Sequence, residues 1–356
     1  MSLGKEGEVH SPVNKANHIS GLDGIRASAV LIVILSHVGL NQFVPGQFGV
    51  TIFFFLSGYL ITTLLRREME RTETVSLRGF YFRRVVRIVP PMIIAIFIVL
   101  VLAQLGQSLA EISYEYLVWD FLFLTNYAMY FEQYSGLLYP LWSLGVEEHF
   151  YMLFPAFYLL LARRLSSHQI ALVCLGLCVF VLGVRLVSYQ LMEDPQYILI
   201  MTHTRIDSIL FGCCLALWNN PVMDEKDHFT VSWLAIFGAS LVLLSTFLIR
   251  DEFFRQTFRY TLQGIGLFIA FNFVIRDRGW IAAILNSVPM RWTALFSYTL
   301  YLLHVPIITL VYKNATDIPV AMQSLIGIIL AFALSAAVYA WVEKPLAKWK
   351  SKKRTF

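Results

Sequence analysis

The stretch RGFYFRRVVRIVPPMIIAIFIVLVLAQLG, Arg78 to Gly106, sets four arginines directly against nineteen nearly unbroken apolar residues. A helix needs about 20 apolar residues to cross the hydrocarbon core of a bilayer. Arginines gather on the cytoplasmic side of such a helix. The stretch therefore reads as a transmembrane helix entered from the cytoplasm.

The pattern recurs along the chain. Apolar segments fall at 27–44, 48–65, 88–106, 116–131, 143–162, 169–189, 200–218, 231–249, 258–275, 294–312 and 321–342. Composition agrees: 58% of the 356 residues are hydrophobic and only 14% are charged. Soluble domains carry about 25% charged residues, so a soluble enzyme and a disordered chain are both excluded. Aromatics reach 15%, which suits membrane–water interfaces.

Basic residues set the topology. Arg66, Arg67, Arg71, Arg78, Arg83, Arg84 and Arg87 mark one connection as cytoplasmic, and Arg163 and Arg164 mark the next. Three apolar segments lie between these two, and an odd number of crossings cannot return the chain to the same side. The segment 116–131 is short and holds Trp119, Asp120 and Asn126. It is read as re-entrant or interfacial. An all-α protein of about ten transmembrane helices follows, with both termini cytoplasmic. On that topology 22 of the 28 Lys and Arg residues face the cytoplasm. The net charge of +5 is then explained by topology and anionic headgroups, with no nucleic-acid partner needed. The expected division is a cytoplasmic tail at 1–20, one membrane domain at 21–345, and a basic cytoplasmic tail at 346–356. The first 20 residues hold no apolar core, so no cleaved signal peptide is expected. Cys174, Cys178, Cys213 and Cys214 lie in apolar runs without neighbouring histidines and read as small packing residues. No metal site is expected.

Ionisable groups at membrane depth are costly and mark candidate function. His37 follows Arg26 by eleven residues, about 16 Å of helix, which places it near mid-membrane. There a histidine can serve as a base or simply bond a neighbouring helix. Ser57-Gly58-Tyr59 offers two hydroxyls beside a glycine that permits close helix approach. Arg84 and Arg87 share a helix face at the cytoplasmic boundary. They serve either to grip a phosphate or to fix topology. Trp142-Ser143-Leu144-Gly145-Val146-Glu147-Glu148-His149 puts three ionisable residues early in an apolar helix. At least one of Glu147 and Glu148 is expected to face the bundle interior. Arg205 and Asp207 read as a local ion pair or as site residues. Tyr298, Tyr301 and His304 form one stripe, with Pro306 expected to kink the helix. Glu343-Lys344-Pro345 reads as a helix stop with an interfacial charge pair.

Together these pieces resemble membrane-bound acyltransferase family 3, whose members O-acylate sugars and related hydroxylated molecules. The resemblance rests on Arg26 and His37 in the first span, Phe53-Phe54-Phe55-Leu56-Ser57-Gly58-Tyr59 in the second, and Arg84-Val85-Val86-Arg87. It extends through Trp142 to Tyr151, Tyr298 to Pro306, and Val342-Glu343-Lys344-Pro345. His149 stands where the family more often has glutamine. The chain ends 14 residues after the last apolar segment, so the resemblance is to a stand-alone member.

The resemblance implies transfer of an acyl group, acetyl by default, from acyl-CoA. The acceptor is a hydroxyl of a polysaccharide or lipid-linked oligosaccharide at the bacterial cytoplasmic (inner) membrane. His37 is the expected general base, with Glu147, Glu148, Tyr298 and His304 as further catalytic candidates. Arg26, Arg84, Arg87, Ser57, Tyr59 and Lys344 are the candidates to hold the acyl-CoA. A transporter or flippase for lipid-linked glycans is the competing reading. It favours inverted repeats, which the sequence does not display.

Overall fold

A computed structural model describes residues 21–105, 112–224, 232–277 and 279–352, with side chains through residue 349. The amino-terminal tail 1–20 and the end of the basic tail lie outside the described residues. The described residues are helical and contain no strand. Ten helices of fourteen residues or more frame the molecule: α1 Leu22–Leu35, α2 Gly46–Thr72, α3 Leu77–Leu105, α4 Leu141–Ala162 and α5 Ser167–Leu191. The remaining five are α6 Thr202–Trp218, α7 Trp233–Leu248, α8 Phe258–Arg276, α9 Ser297–Asn314 and α10 Val320–Val338. Seven helical stretches among the described residues are long and apolar enough to cross a membrane, or eight if the bent pair ending in α9 forms one span. The protein is therefore a multi-pass membrane protein. In α4, Glu147, Glu148 and His149 lower the hydropathy of a helix that has the length to cross, 22 residues.

The segment 116–131 makes no crossing helix. It breaks into the short turns Leu117–Phe121, Thr125–Ala128 and Met129–Phe131. The buried Asp120 ties them together, accepting from Thr125 Oγ1 at 2.7 Å and from the Ser135 hydroxyl. Gly145 of α4 lets this segment approach, since a Cβ there would meet Phe123 O at 2.6 Å.

The core is built on α2 and the stretch ending in α6, whose apolar windows are 72% and 78% buried against 22% for the stretch beginning with α10. With no water to expel between apolar helices, small residues decide which ones pack closest. Gly58 and Gly212 meet reciprocally. A Cβ on Gly58 would collide with Ile209 O, and one on Gly212 with Phe55 O. The four cysteines are free and buried in the same region. Cys213 Sγ lies against Gly58 O and Cys214 Sγ against Ala171 O.

Two local expectations are corrected. Asp207 pairs with Arg185 rather than with Arg205, at 2.8 Å and fully buried. Arg205 instead lies 3.7 Å over the ring of Tyr260 and donates to Thr51 Oγ1 and Leu199 O. Pro306 lies inside α9, which runs through it to Asn314. The bend of 75° falls earlier, between Val288–Leu295 and α9. Pro345 does not stop the chain's last helix. The helix continues from α10 through the π turn Tyr339–Glu343 into Lys344–Lys352, which contains Pro345.

Candidate functional site

A cavity of about 1140 Å³ opens among α1, α2, α3, α4 and α9. Ligand pockets usually span about 300–1000 Å³, so this one fits a long ligand. Arg26, Arg67, Arg71, Arg83, Arg84 and Arg87 line it, against Asp23, Glu68 and Glu147. Its other end is apolar and hydroxylic, with Phe53, Phe54, Ser143 and Tyr301.

The deep polar group is built on Glu147. Ser57 Oγ donates to Glu147 Oε1 at 2.8 Å, and Tyr151 OH lies 3.1 Å from Oε2 and 2.9 Å from Ser57 Oγ. The Arg84 guanidinium sits 4.6 Å over the Tyr151 ring, a cation–π contact that holds it toward the carboxylate. Arg26 pairs with Asp23 at 3.4 Å on the same wall. A carboxylate facing two guanidiniums supplies the countercharge that lets them lie in the bundle without ligand.

His37 and His304 stand just beyond the apolar end. Their ring centroids are 5.0 Å apart, edge to face. Neither lines the cavity, but Tyr301 does, and its ring is 5.5 Å from that of His304. Tyr301 OH accepts from Ser143 Oγ at 2.7 Å, linking α4 to α9. His37 does not sit in mid-helix. It follows the end of α1, in the π-helical turn Ser36–Leu40 closed by Gly39 at φ 85°. That turn lies toward the far end of the helix from Arg26. Extra-residue turns of this kind re-aim side chains.

His37 Nδ1 is 2.8 Å from Val33 O and His304 Nδ1 is 2.6 Å from Tyr301 O. A carbonyl can only accept, so in each neutral ring Nδ1 carries the hydrogen and Nε2 the lone pair. His304 Nε2 is buried with no hydrogen-bond partner among the described residues.

Of the sequence candidates, Arg26, Ser57, Arg84, Arg87, Glu147 and Tyr298 come together on the cavity wall. The Tyr298 hydroxyl is already committed to Ile88 O at 3.0 Å. Tyr59 does not reach the cavity. It is fully buried, and its hydroxyl donates to Asn220 Oδ1 at 3.0 Å, because the residue two after Ser57 points to another helix face. Glu148 also lies off the cavity, with Oε1 buried and without a hydrogen-bond partner among the described residues. His149 turns to Thr202 Oγ1 at 2.7 Å. Lys344 is exposed at the start of its own helix. Arg67 and Arg71 read from the sequence as topology signals alone, yet they stand one helical turn apart on the cavity wall. Their spacing of four on α2 was the available signal.

A bundle of apolar helices around a ligand-sized basic cavity, with paired imidazoles beyond its apolar end, defines a multi-pass membrane protein with the layout of a group-transfer enzyme. The chain belongs to acyltransferase family 3, whose acyltransferase domain matches residues 19–340. It is 30% identical over 354 residues to a Staphylococcus aureus (strain COL) protein named "Putative O-acetyltransferase", covering 94% of this chain and 58% of that protein. It is 32% identical over 352 residues to the O-acetyltransferase OatA of Staphylococcus aureus (strain NCTC 8325 / PS 47), covering 93% and 57%. The chain thus spans somewhat more than half the length of these relatives. No solved structure matches it.

Proposed function

We propose that this protein moves an acetyl group from cytoplasmic acetyl-CoA to a hydroxyl of a polysaccharide or lipid-linked oligosaccharide, with His37 as general base. One observation carries the reading: a basic cavity ends, through Tyr301, against the His304–His37 pair. The named activity of the relatives, O-acetyl transfer, supports it.

The reading takes α1 to α10 as ten spans with both termini cytoplasmic, in the bacterial inner membrane. The 22-to-6 distribution of basic residues supports this orientation. Residues 21–345 then form one acyltransferase domain between the tails 1–20 and 346–356. Arg26, Arg84 and Arg87 hold phosphate oxygens from the cytoplasmic end, and the pantetheine arm runs along the cavity past Ser57. The acceptor hydroxyl gives its proton to His37 Nε2 as its oxygen attacks the thioester carbonyl carbon. The carbon–sulfur bond breaks, and the departing thiolate takes the proton from the ring. Ser143 and Tyr301, at the end nearest the imidazoles, are the hydroxyl donors available to the oxyanion. Glu147 holds the arginines in register. His304 packs His37 in place and offers a second lone pair on its side.

The test is direct. Purified protein in nanodiscs should release free thiol from acetyl-CoA, and surface glycans of a strain lacking the protein should lose an acetyl ester. Protein that binds CoA yet releases no thiol, from a strain whose glycans keep every acetyl group when the protein is deleted, would refute the assignment.

A further inference from the structure

Six arginines line the cavity, and they fall into two tiers. Arg26, Arg84 and Arg87 accompany Glu147 and Tyr151 in the deeper tier. The Arg84 guanidinium rests on Tyr151, whose hydroxyl touches Ser57. The second tier lies farther along α2. Arg67 is ten residues beyond Ser57 and Arg71 fourteen, which at the helical rise is about 15 and 21 Å. Arg83 joins this tier, held by Glu68 at 3.5 Å.

The tiers differ in how their charge is balanced. Arg26 has Asp23, Arg83 has Glu68, and Glu147 faces Arg26 and Arg84. Arg66, next to Arg67 but on another face, is saturated by Glu70 and Asp224. Arg67 and Arg71 have no carboxylate partner among the described residues. Topology requires arginines here, but it does not require that two on one face, one turn apart, line the same cavity as the deep tier. Glu68 stands between them on the cavity wall but is paired with Arg83, so the three arginines outnumber the acid at this level and favour a shared anion.

We infer that Arg67 and Arg71, with Arg83 at their side, form a second anion subsite at the cavity mouth that reads the phosphate on the ribose of the donor's nucleotide. This rests on the proposed acyl-CoA donor and extends it. A ligand with one phosphate cluster near its arm and another on its ribose matches two separated tiers. A pantetheine arm carried without a nucleotide matches only the deeper one. The protein therefore selects a free nucleotide-bearing thioester over one presented on a carrier protein. Each charge-assisted bond to a phosphate contributes enough to make the preference at least tenfold.

Binding of coenzyme A and of 3′-dephospho-coenzyme A to purified full-length protein in nanodiscs, measured by calorimetry, tests this without any acyl transfer. Wild type should bind coenzyme A at least tenfold more tightly. The variant R67Q/R71Q should bind both at about the wild-type affinity for the dephospho form, which also shows that its fold and deep tier are intact. Equal wild-type affinities for the two ligands would overturn the inference and leave the donor assignment standing, and this comparison needs no variant. A double variant that keeps the full preference would overturn it as well. If wild type binds neither ligand, the donor assignment fails and the inference falls with it.

Discussion

Gly58→Ala perturbs the tightest glycine contact among the described residues, between α2 and α6. The new methyl would fall on the carbonyl oxygen of Ile209, and Gly212 makes the reciprocal approach to Phe55 O. Both obstacles are helix backbone and cannot swing aside as a side chain would. Ordinary contact begins near 3.4 Å, so the helices must part by on the order of 1 Å. Overpacking of this kind costs about 3 kcal/mol at the rigid end of its range. Alanine recovers about 1 kcal/mol because it is the better helix former. Repulsion wins, and a net loss of about 2 kcal/mol is expected.

The shift also reaches the cavity. Ser57 is the preceding residue, and its bond to Glu147 is 2.8 Å long. A displacement of about 1 Å breaks that bond and moves a cavity wall, a misplacement that costs about 100-fold in turnover. The assay pairs thermal unfolding in nanodiscs with thiol release from acetyl-CoA. The variant should melt lower and turn over about 100-fold more slowly. A G58A protein with wild-type melting and turnover would refute the claim that this contact sets the site.

Two further predictions follow from buried charges. Asp207→Ala leaves Arg185 buried and unpaired, at a cost of about 3–5 kcal/mol. The double variant R185M/D207L should recover most of that loss on melting, and a double variant no better than D207A would refute the account. Outside the spans, burial pushes the Asp120 carboxyl up to about 6, against the opposing donation from Ser135 and Thr125. A carboxyl that holds its proton more tightly when folded stabilises the protein below its ordinary range near 3.8. That contribution is lost as pH rises through 6, and its full span is about 3 kcal/mol. Wild type should therefore gain on D120N as pH falls from 7 to 4, and a pH-independent difference in melting would refute this.

Much of the fold was legible because the bilayer leaves so few solutions. An apolar run of sufficient length must be helical, and each of the ten runs read as spans corresponds to one of the ten helices. The failed crossing at 116–131 was legible too, because Asp120 and Asn126 cannot face lipid. Facing was harder to read. Glu147 and Glu148 are adjacent, and only packing against Ser57 and Tyr151 decides that Glu147 takes the cavity. Tyr59 looked equivalent to Ser57, but its partner Asn220 lies 161 positions away. Arg205 and Asp207 looked like a local pair, but Arg185 on a neighbouring helix claims the aspartate. The π turn that carries His37 has no signature beyond Gly39. The Arg67–Arg71 face was hidden by its own success as a topology signal.

The most direct test of the central claim is a paired measurement on His37→Ala: coenzyme A binding by calorimetry and thiol release from acetyl-CoA, on the same preparation. The account predicts wild-type binding, since His37 does not line the basic cavity and lies about 16 Å of helix from Arg26, and no thiol release. An H37A protein that binds coenzyme A and releases thiol at the wild-type rate would contradict it.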